Sequence, residues 1–278
     1  MAKPITTRIF TVANQKGGVG KTTSAVNVAA ALAMGGLKTL IIDLDPQGNA
    51  STAFGISRDE VNGMYEVIIK DLPMQSAALK IPGYPSLEVI PATQSLANAE
   101  VELVPMVARE MRLKKSLNNY LLDAANKGER FDYVIIDCPP SLGLLTINAL
   151  VAAQELMIPI QCEYYSLEGL TLLLHTVSLI QEHLNPNIKL TTILLTMFDG
   201  RTRLANDVAA EVRKHYNTEL IDIPIPRAVR ISEAPSYGQT VMTYDPASNG
   251  AEAYGLVARE IARRGAPSSN SNSEKGVG

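Results

Sequence analysis

Two lysines five residues apart, Lys16 and Lys21, bracket the glycines of the stretch NQKGGVGKTT, residues 14–23. Backbone N–H groups of Gly17, Gly18, Val19 and Gly20 can converge on phosphate oxygens, because no bulky side chain blocks the approach and a helix opening at Lys21, Thr22 and Thr23 adds the positive end of its dipole. Several of these positions are expected to need a positive φ, which glycine adopts without strain. Lys21 then reaches the β- and γ-phosphates of a nucleotide, and the Thr22 hydroxyl ligates Mg²⁺. The strict spacing G-x-x-x-x-G-K-[ST] is not met, since Gln15 stands where the first glycine belongs. Lys16 has no evident target inside its own chain; as an isolated lysine it would be a solvated surface residue.

Two apolar runs end in carboxylates. TLIID leads into DLDPQGN, Asp43 to Asn49, and YVIID ends at Asp137 before CPPSLG. An aspartate after such a strand, like Asp137, is the expected partner of a phosphate-bound Mg²⁺, directly or through its shell. Asp45 lies two residues past a strand end, on a loop that can respond to a γ-phosphate and orient the attacking water. The plainer readings are that Asp137 caps the next turn and that Asp45 shapes a turn bent by Pro46 and Gly48.

These groups meet only if a sheet brings them to one edge. The chain has 278 residues, 46% hydrophobic and 19% charged, enough to bury a full core. The runs RIFTVAN, KTLIIDLD, SLEVIPA, FDYVIIDCPP, ELMIPIQ, KLTTILLTMFD and ELIDIPIP alternate with segments of helical period. Near-continuous apolar strands of this kind predict a doubly wound α/β fold, a mostly parallel sheet with helices on both faces, like that of P-loop NTPases. Ligands then sit at the carboxyl ends of the strands, where both aspartate clusters open onto the glycine loop. In TTSAVNVAAALAMGG, Ala25, Val28, Ala29 and Leu32 share one stripe and Gly35 and Gly36 supply the stop. Residues from about 58 to 85 look like an excursion between core strands. Tyr254, Val257 and Ile261 share one side of a further helix that packs on the domain. One domain over residues 1–264 is expected, with 265–278 a polar, disordered tail.

With a lysine directly before its glycines, KGGVGKTT is the deviant form of the phosphate loop. Here the chain resembles the ParA/MinD group of ATPases, and NQKGGVGKTT most resembles the ParA (Soj) branch. The resemblance continues through DLDPQGN, QCEYYSLEGL from Gln161, LLTMFDGRTRLANDV from Leu194 and IPIPRAVRISEAPSYGQTVMTYDPAS from Ile223, so it runs from near the N-terminus to about Arg263. It implies a slow, Mg²⁺-dependent ATPase of chromosome or plasmid partitioning. ATP would be sandwiched in a homodimer, with Lys16 crossing to the nucleotide of the second subunit. Lys16, Lys21 and Asp45 are then the catalytic candidates. Gln15, Lys16, Gly17, Gly18, Val19, Gly20, Lys21, Thr22 and Thr23 would hold ATP, with Pro226 at the adenine, and Thr22, Asp43 and Asp137 would stand around Mg²⁺. Arg201, Arg203, Arg227 and Arg230 are the implied contacts to DNA bound without sequence preference, with Lys214 a weaker candidate. The implied partner is a ParB-type centromere-binding protein, and the implied location is the cytoplasm, on the nucleoid.

The net charge of −3 excludes a uniformly basic nucleic-acid binder but leaves room for a local patch. The arginines otherwise make internal ion pairs or keep the surface soluble. No apolar run of membrane length and no signal-peptide pattern appears. A MinD-like membrane-positioning ATPase is the alternative, and it would need a C-terminal amphipathic helix that the tail does not offer. An iron–sulfur reductase resembling the nitrogenase iron protein would need cluster cysteines in a glycine-rich context. Cys138 and Cys162 lack that context and are expected to be buried free thiols.

Overall fold

The computed structural model describes residues 1–59, 61–163 and 166–267. The apolar runs form strands β1 (Arg8–Val12), β2 (Thr39–Asp43), β3 (Leu79–Ile81), β4 (Tyr84–Ile90), β5 (Tyr133–Asp137), β6 (Glu155–Gln161), β7 (Lys189–Thr196) and β8 (Leu220–Ile221). They make one sheet in the order β3-β4-β2-β5-β1-β6-β7-β8, parallel except for the antiparallel β3–β4 pair. Every residue of β2 and β5 is buried, which is why their sequences run apolar without alternation. Successive residues still point to opposite faces: Ile9, Leu40, Ile42, Val134 and Ile136 enter one core, and Phe10, Ile41 and Ile135 the other. In register, both Val12 and Asp43 stand opposite Asp137. The three central strands therefore end level, and the loops that follow them lie side by side.

The helices are α1 (Lys21–Met34), α2 (Asn49–Ala53), α3 (Met64–Ile69), α4 (Ala99–Leu103), α5 (Arg112–Asn126), α6 (Leu144–Ala152), α7 (Ser166–His183), α8 (Arg203–His215), α9 (Val229–Glu233), α10 (Val241–Tyr244) and α11 (Asn249–Gly265). Helices α3 to α8 pack into the first core, and α1, α10 and α11 into the second. The expected doubly wound fold is the one observed.

Several details differ from the sequence expectation. Helix α1 has no single apolar stripe: Val26, Ala30, Ala31 and Ala33 are buried along with Ala25, Val28, Ala29 and Leu32. It lies between the sheet and α11, and its alanines let both approach closely. Residues 58–85 do more than connect, for they contain α3 and β3, and β3 hairpins onto β4 to extend the sheet. Three residues are too short to show a period. Of ELIDIPIP only Leu220 and Ile221 form a strand, since Pro224 and Pro226 have no N–H to give to a ladder. Strand β7 stops at Thr196 because Met197 turns left-handed, φ 50°. Helix α11 buries Tyr254, Val257 and Ile261 as expected and reaches Gly265. The expected tail lies outside the described residues from 268 onward. Both cysteines are free and buried. Among the described residues no helix is long and apolar enough to cross a membrane.

Candidate functional site

The loop between β1 and α1 is pinned at several points. Asn14 donates through Nδ2 to the Pro159 carbonyl (2.8 Å) and accepts the Lys16 N–H (3.0 Å). The Val19 carbonyl accepts from Thr196 Oγ1 (2.8 Å), which ties the loop to the end of β7. Gly18 and Gly20 adopt φ of +73° and +83°. Gly20 immediately precedes α1, so a residue with a Cβ there would be strained where the helix must start. Lys21 is buried, and its Nζ donates back across the loop to the Lys16 carbonyl (2.9 Å). Burial lowers its pKa, against the pull of Asp137 and Asp45.

The three aspartates fare differently. One oxygen of Asp43 accepts from both the Ser51 N–H (2.7 Å) and the Ser51 hydroxyl (2.6 Å), and the other accepts the Asp45 N–H (3.3 Å). Burial, with Asp45 adding repulsion, still raises its pKa to about 6. Asp137 is fully buried and neither of its carboxylate oxygens has a hydrogen bond, so it does not cap the following turn. Burial and the neighbouring Asp43 push its pKa well up; Thr22 stands near enough to offset part of this, though not in hydrogen-bonding geometry. Asp45 accepts the Gln47 N–H through Oδ1 (2.9 Å).

These residues surround two adjoining cavities. One, of about 290 Å³, is lined by the glycine loop, Lys21, Thr22, Thr23, Asp45, Gln47, Asn49, Pro140 and Met197. The other, of about 270 Å³, shares Gly20, Thr23 and Met197 with it and is walled by Ile225, Pro226, Arg227, Ala228 and Tyr254. A polar end beside a more apolar end suits a phosphorylated ligand with a flat ring. Thr196, Met197, Gln47, Asn49, Pro140 and Tyr254 were not anticipated from sequence. Their signal is positional, because Thr196, Gln47, Asn49 and Pro140 all follow or close strands at the carboxyl edge.

Of the metal candidates only Thr22 lines a cavity, while Asp43 and Asp137 lie beneath it. The unpartnered oxygens of Asp137 and the Thr22 hydroxyl are the hard donors that Mg²⁺ takes. Among the described residues no cluster of three His, Cys, Asp or Glu side chains could hold a metal alone. Such an ion would need phosphate oxygens to complete its shell, and on that condition the residues fit it.

Lys16 corrects the sequence reading, which gave it no target in its own chain. Its Nζ contacts Glu163 Oε2 at 2.6 Å, in a pair about half exposed. The arginines are also engaged: Arg201 with Asp199 (2.7 Å), Arg203 with Asp207 (3.5 Å) and Arg230 with Glu233 (3.2 Å) and Asp245 (3.6 Å). Arg227 makes no ion pair among the described residues and lines the second cavity. Lys214 sits in the last turn of α8 near Glu211 (4.0 Å).

The profile of a family described as an AAA domain matches residues 7–190. A chromosome partitioning protein ParA from Myxococcus xanthus is 48% identical over 263 residues, covering 94% of this chain and 90% of its own. The sporulation initiation inhibitor protein Soj from Bacillus subtilis is 49% identical, covering 93% of this chain and 99% of its own. Among solved structures, a cobyrinic acid a,c-diamide synthase from Mycobacterium smegmatis, with bound ATP analogue and magnesium, superposes with a TM-score of 0.78. It is 37% identical, and the match covers 93% of this chain and 95% of that one.

Proposed function

The chain belongs to the ParA/Soj family of chromosome partitioning ATPases, and on that premise we propose that it is an ATP-driven DNA partitioning protein built as one domain over residues 1–264. An ATP-bound homodimer holds nucleoid DNA in the cytoplasm and releases it when a ParB-type partner stimulates hydrolysis. The observation that supports this best is the cavity in which the glycine loop, Lys21, Thr22 and Asp45 meet, open to a second cavity walled by Pro226.

Lys21 exchanges the Lys16 carbonyl for the β- and γ-phosphate oxygens of ATP, and the backbone of Gln15 to Thr23 cradles the rest. Asp45, fixed at one oxygen by Gln47, has the other to orient a water against the γ-phosphate. Thr22, backed by Asp137 and Asp43, would hold Mg²⁺, which when bound neutralises charge on the phosphate oxygens. Lys16 leaves Glu163 to reach the nucleotide of the second subunit. Their half-exposed pair is worth at most about 1 kcal/mol, so the exchange is cheap. Arg227 can meet a DNA phosphate directly, whereas Arg201, Arg203 and Arg230 trade exposed carboxylates for phosphates. Dimerisation doubles that patch, which lets a chain of net charge −3 bind DNA in its ATP state.

Sedimentation of the protein with random-sequence DNA, in ATP–Mg²⁺ and in ADP–Mg²⁺, tests the reading. Binding in ATP alone, weakened steeply by salt, is expected; equal binding in both nucleotides would remove the switch. Membrane positioning finds less support, because α11 turns its apolar side into the core. Burial pushes the Cys162 thiol up to about 11 and the Cys138 thiol well above its ordinary value, so neither is poised as a thiolate.

A further inference from the structure

A further cavity, of about 460 Å³, shares no lining residue with the two at the nucleotide site. It opens between α5 and the chain that follows α3. One stripe of α5 forms its polar wall, through Arg112, Lys115, Ser116 and Asn119, which fall at helical spacing. The facing wall is apolar where Val67, Leu72 and Met74 line it. Both the volume and the make-up, an apolar surface with a few convergent polar groups, are those of small-molecule sites.

The polar wall is short of partners. Among the described residues only the Nε of Arg112 makes a hydrogen bond, to the Ile68 carbonyl. Its Nη2 lies 2.7 Å from Asp71 Oδ2, yet it is buried and out of hydrogen-bonding geometry. A buried donor left in that condition is costly, and an acceptor entering the cavity would relieve it. Lys115, one turn further along, meets no carboxylate, and the side chains of Ser116 and Asn119 make no hydrogen bond among the described residues. Two carboxylates also line the cavity, but each has its own cation: Asp71 faces Arg112, and Asp123 pairs with Lys127 at 2.7 Å. Lys115 is thus positive charge in excess. Helix α5 adds the positive end of its dipole there, with no acidic residue in its first turn to offset it.

We propose that this cavity binds a small organic anion, whose carboxylate or phosphate group sits on Arg112, Lys115 and Ser116 and whose apolar body lies against Val67, Leu72 and Met74. A guanidinium offers such a group two parallel donors, and Lys115 adds a point charge. Met74 can adjust to the shape of the apolar part. A neutral ligand would leave the arginine unbonded, and a cation would be repelled by Lys115. The site goes beyond nucleotide binding and does not depend on it.

The test uses the full chain loaded with ADP–Mg²⁺, which keeps added phosphate compounds off the glycine loop. The probes are octanoate, octyl phosphate and, as the neutral control, octanol. Binding is read from the ε-methyl resonance of Met74 in methionine-methyl-labelled protein, assigned through Met74→Leu. Saturable shifts are expected with at least one anion, about tenfold tighter than with octanol or better; the tighter anion distinguishes a carboxylate from a phosphate ligand. Lys115→Glu alters an exposed side chain, so basal ATPase and melting temperature are expected to hold while affinity for that anion falls about tenfold. Arg112→Lys keeps the charge but not the fork and is expected to weaken the anion as well. Ser116→Phe fills the cavity from the same wall and is expected to abolish the shift. Octanol binding as tightly as the anions would leave an apolar pocket and overturn the anionic ligand, as would unchanged anion affinity in Lys115→Glu. Anion binding that survives Ser116→Phe, or no Met74 shift with any probe below micelle-forming concentrations, would overturn the site itself.

Discussion

At the scale of single residues, the site is defined by charges held without full compensation. Burial raises the Asp43 pKa to about 6 and pushes that of Asp137 well above the ordinary carboxylate range, so the folded protein keeps protons that the unfolded chain has released by about pH 4–5. Stability of the nucleotide-free protein therefore falls as pH rises through the folded values, the reverse of an ordinary salt-bridged aspartate. Asp137→Asn is expected to raise the melting temperature in mildly alkaline buffer by several degrees and to flatten its pH dependence, while ATP hydrolysis is lost. A melting temperature unchanged or lowered would show that the buried charge is not a source of strain. Asp45→Ala is expected to leave ATP binding within a few-fold and to lower turnover by roughly 10²-fold or more, read by single-turnover hydrolysis. Type and spacing alone singled out Lys21, Thr22, Asp45 and Asp137 and predicted that they would gather at one edge of the sheet, as they do. The Glu163 partner of Lys16 was not legible, because 147 residues of chain separate the two and nothing local to either announces the other.

At the scale of elements, the strands were the easiest to read, since burial on both faces leaves a continuous apolar run in β2 and β5. Short or interrupted pieces were not legible: β3 carries no period in three residues, and the prolines around Ile225 hid how little of that run is strand. Helix α1 misled for another reason. Its alanines look like a weak face, yet they are small because α11 and the sheet both press on them. Ala29→Leu is accordingly expected to destabilise the protein by about 1–3 kcal/mol through overpacking, measured by urea denaturation. Little change would mean that α11 can move outward. Thr196→Val removes the hydroxyl that holds the Val19 carbonyl, and it is expected to weaken nucleotide affinity several-fold while the melting temperature of the free protein shifts only slightly.

At the scale of the whole molecule, the level ends of β1, β2 and β5 gather three loops from distant parts of the chain at one edge. The doubly wound order made that edge predictable, while the shape of the cavities depends on turns such as the one at Met197 that no pattern reveals. Binding of ATP–Mg²⁺ should raise the melting temperature with ligand concentration, because a ligand held only by the folded state stabilises it by mass action. Asp137→Asn should blunt that rise. Helix α1 gives the molecule one more property. The amide protons of Ser24 to Ala33 lie in turns whose side chains are all buried, so they should exchange with deuterium only through complete opening of the domain. The first turn of that helix is also the phosphate cradle. The slowest isotope clock in the protein is thus wired to its nucleotide, and the exchange rate of α1 would measure occupancy of the site without any label on the ligand.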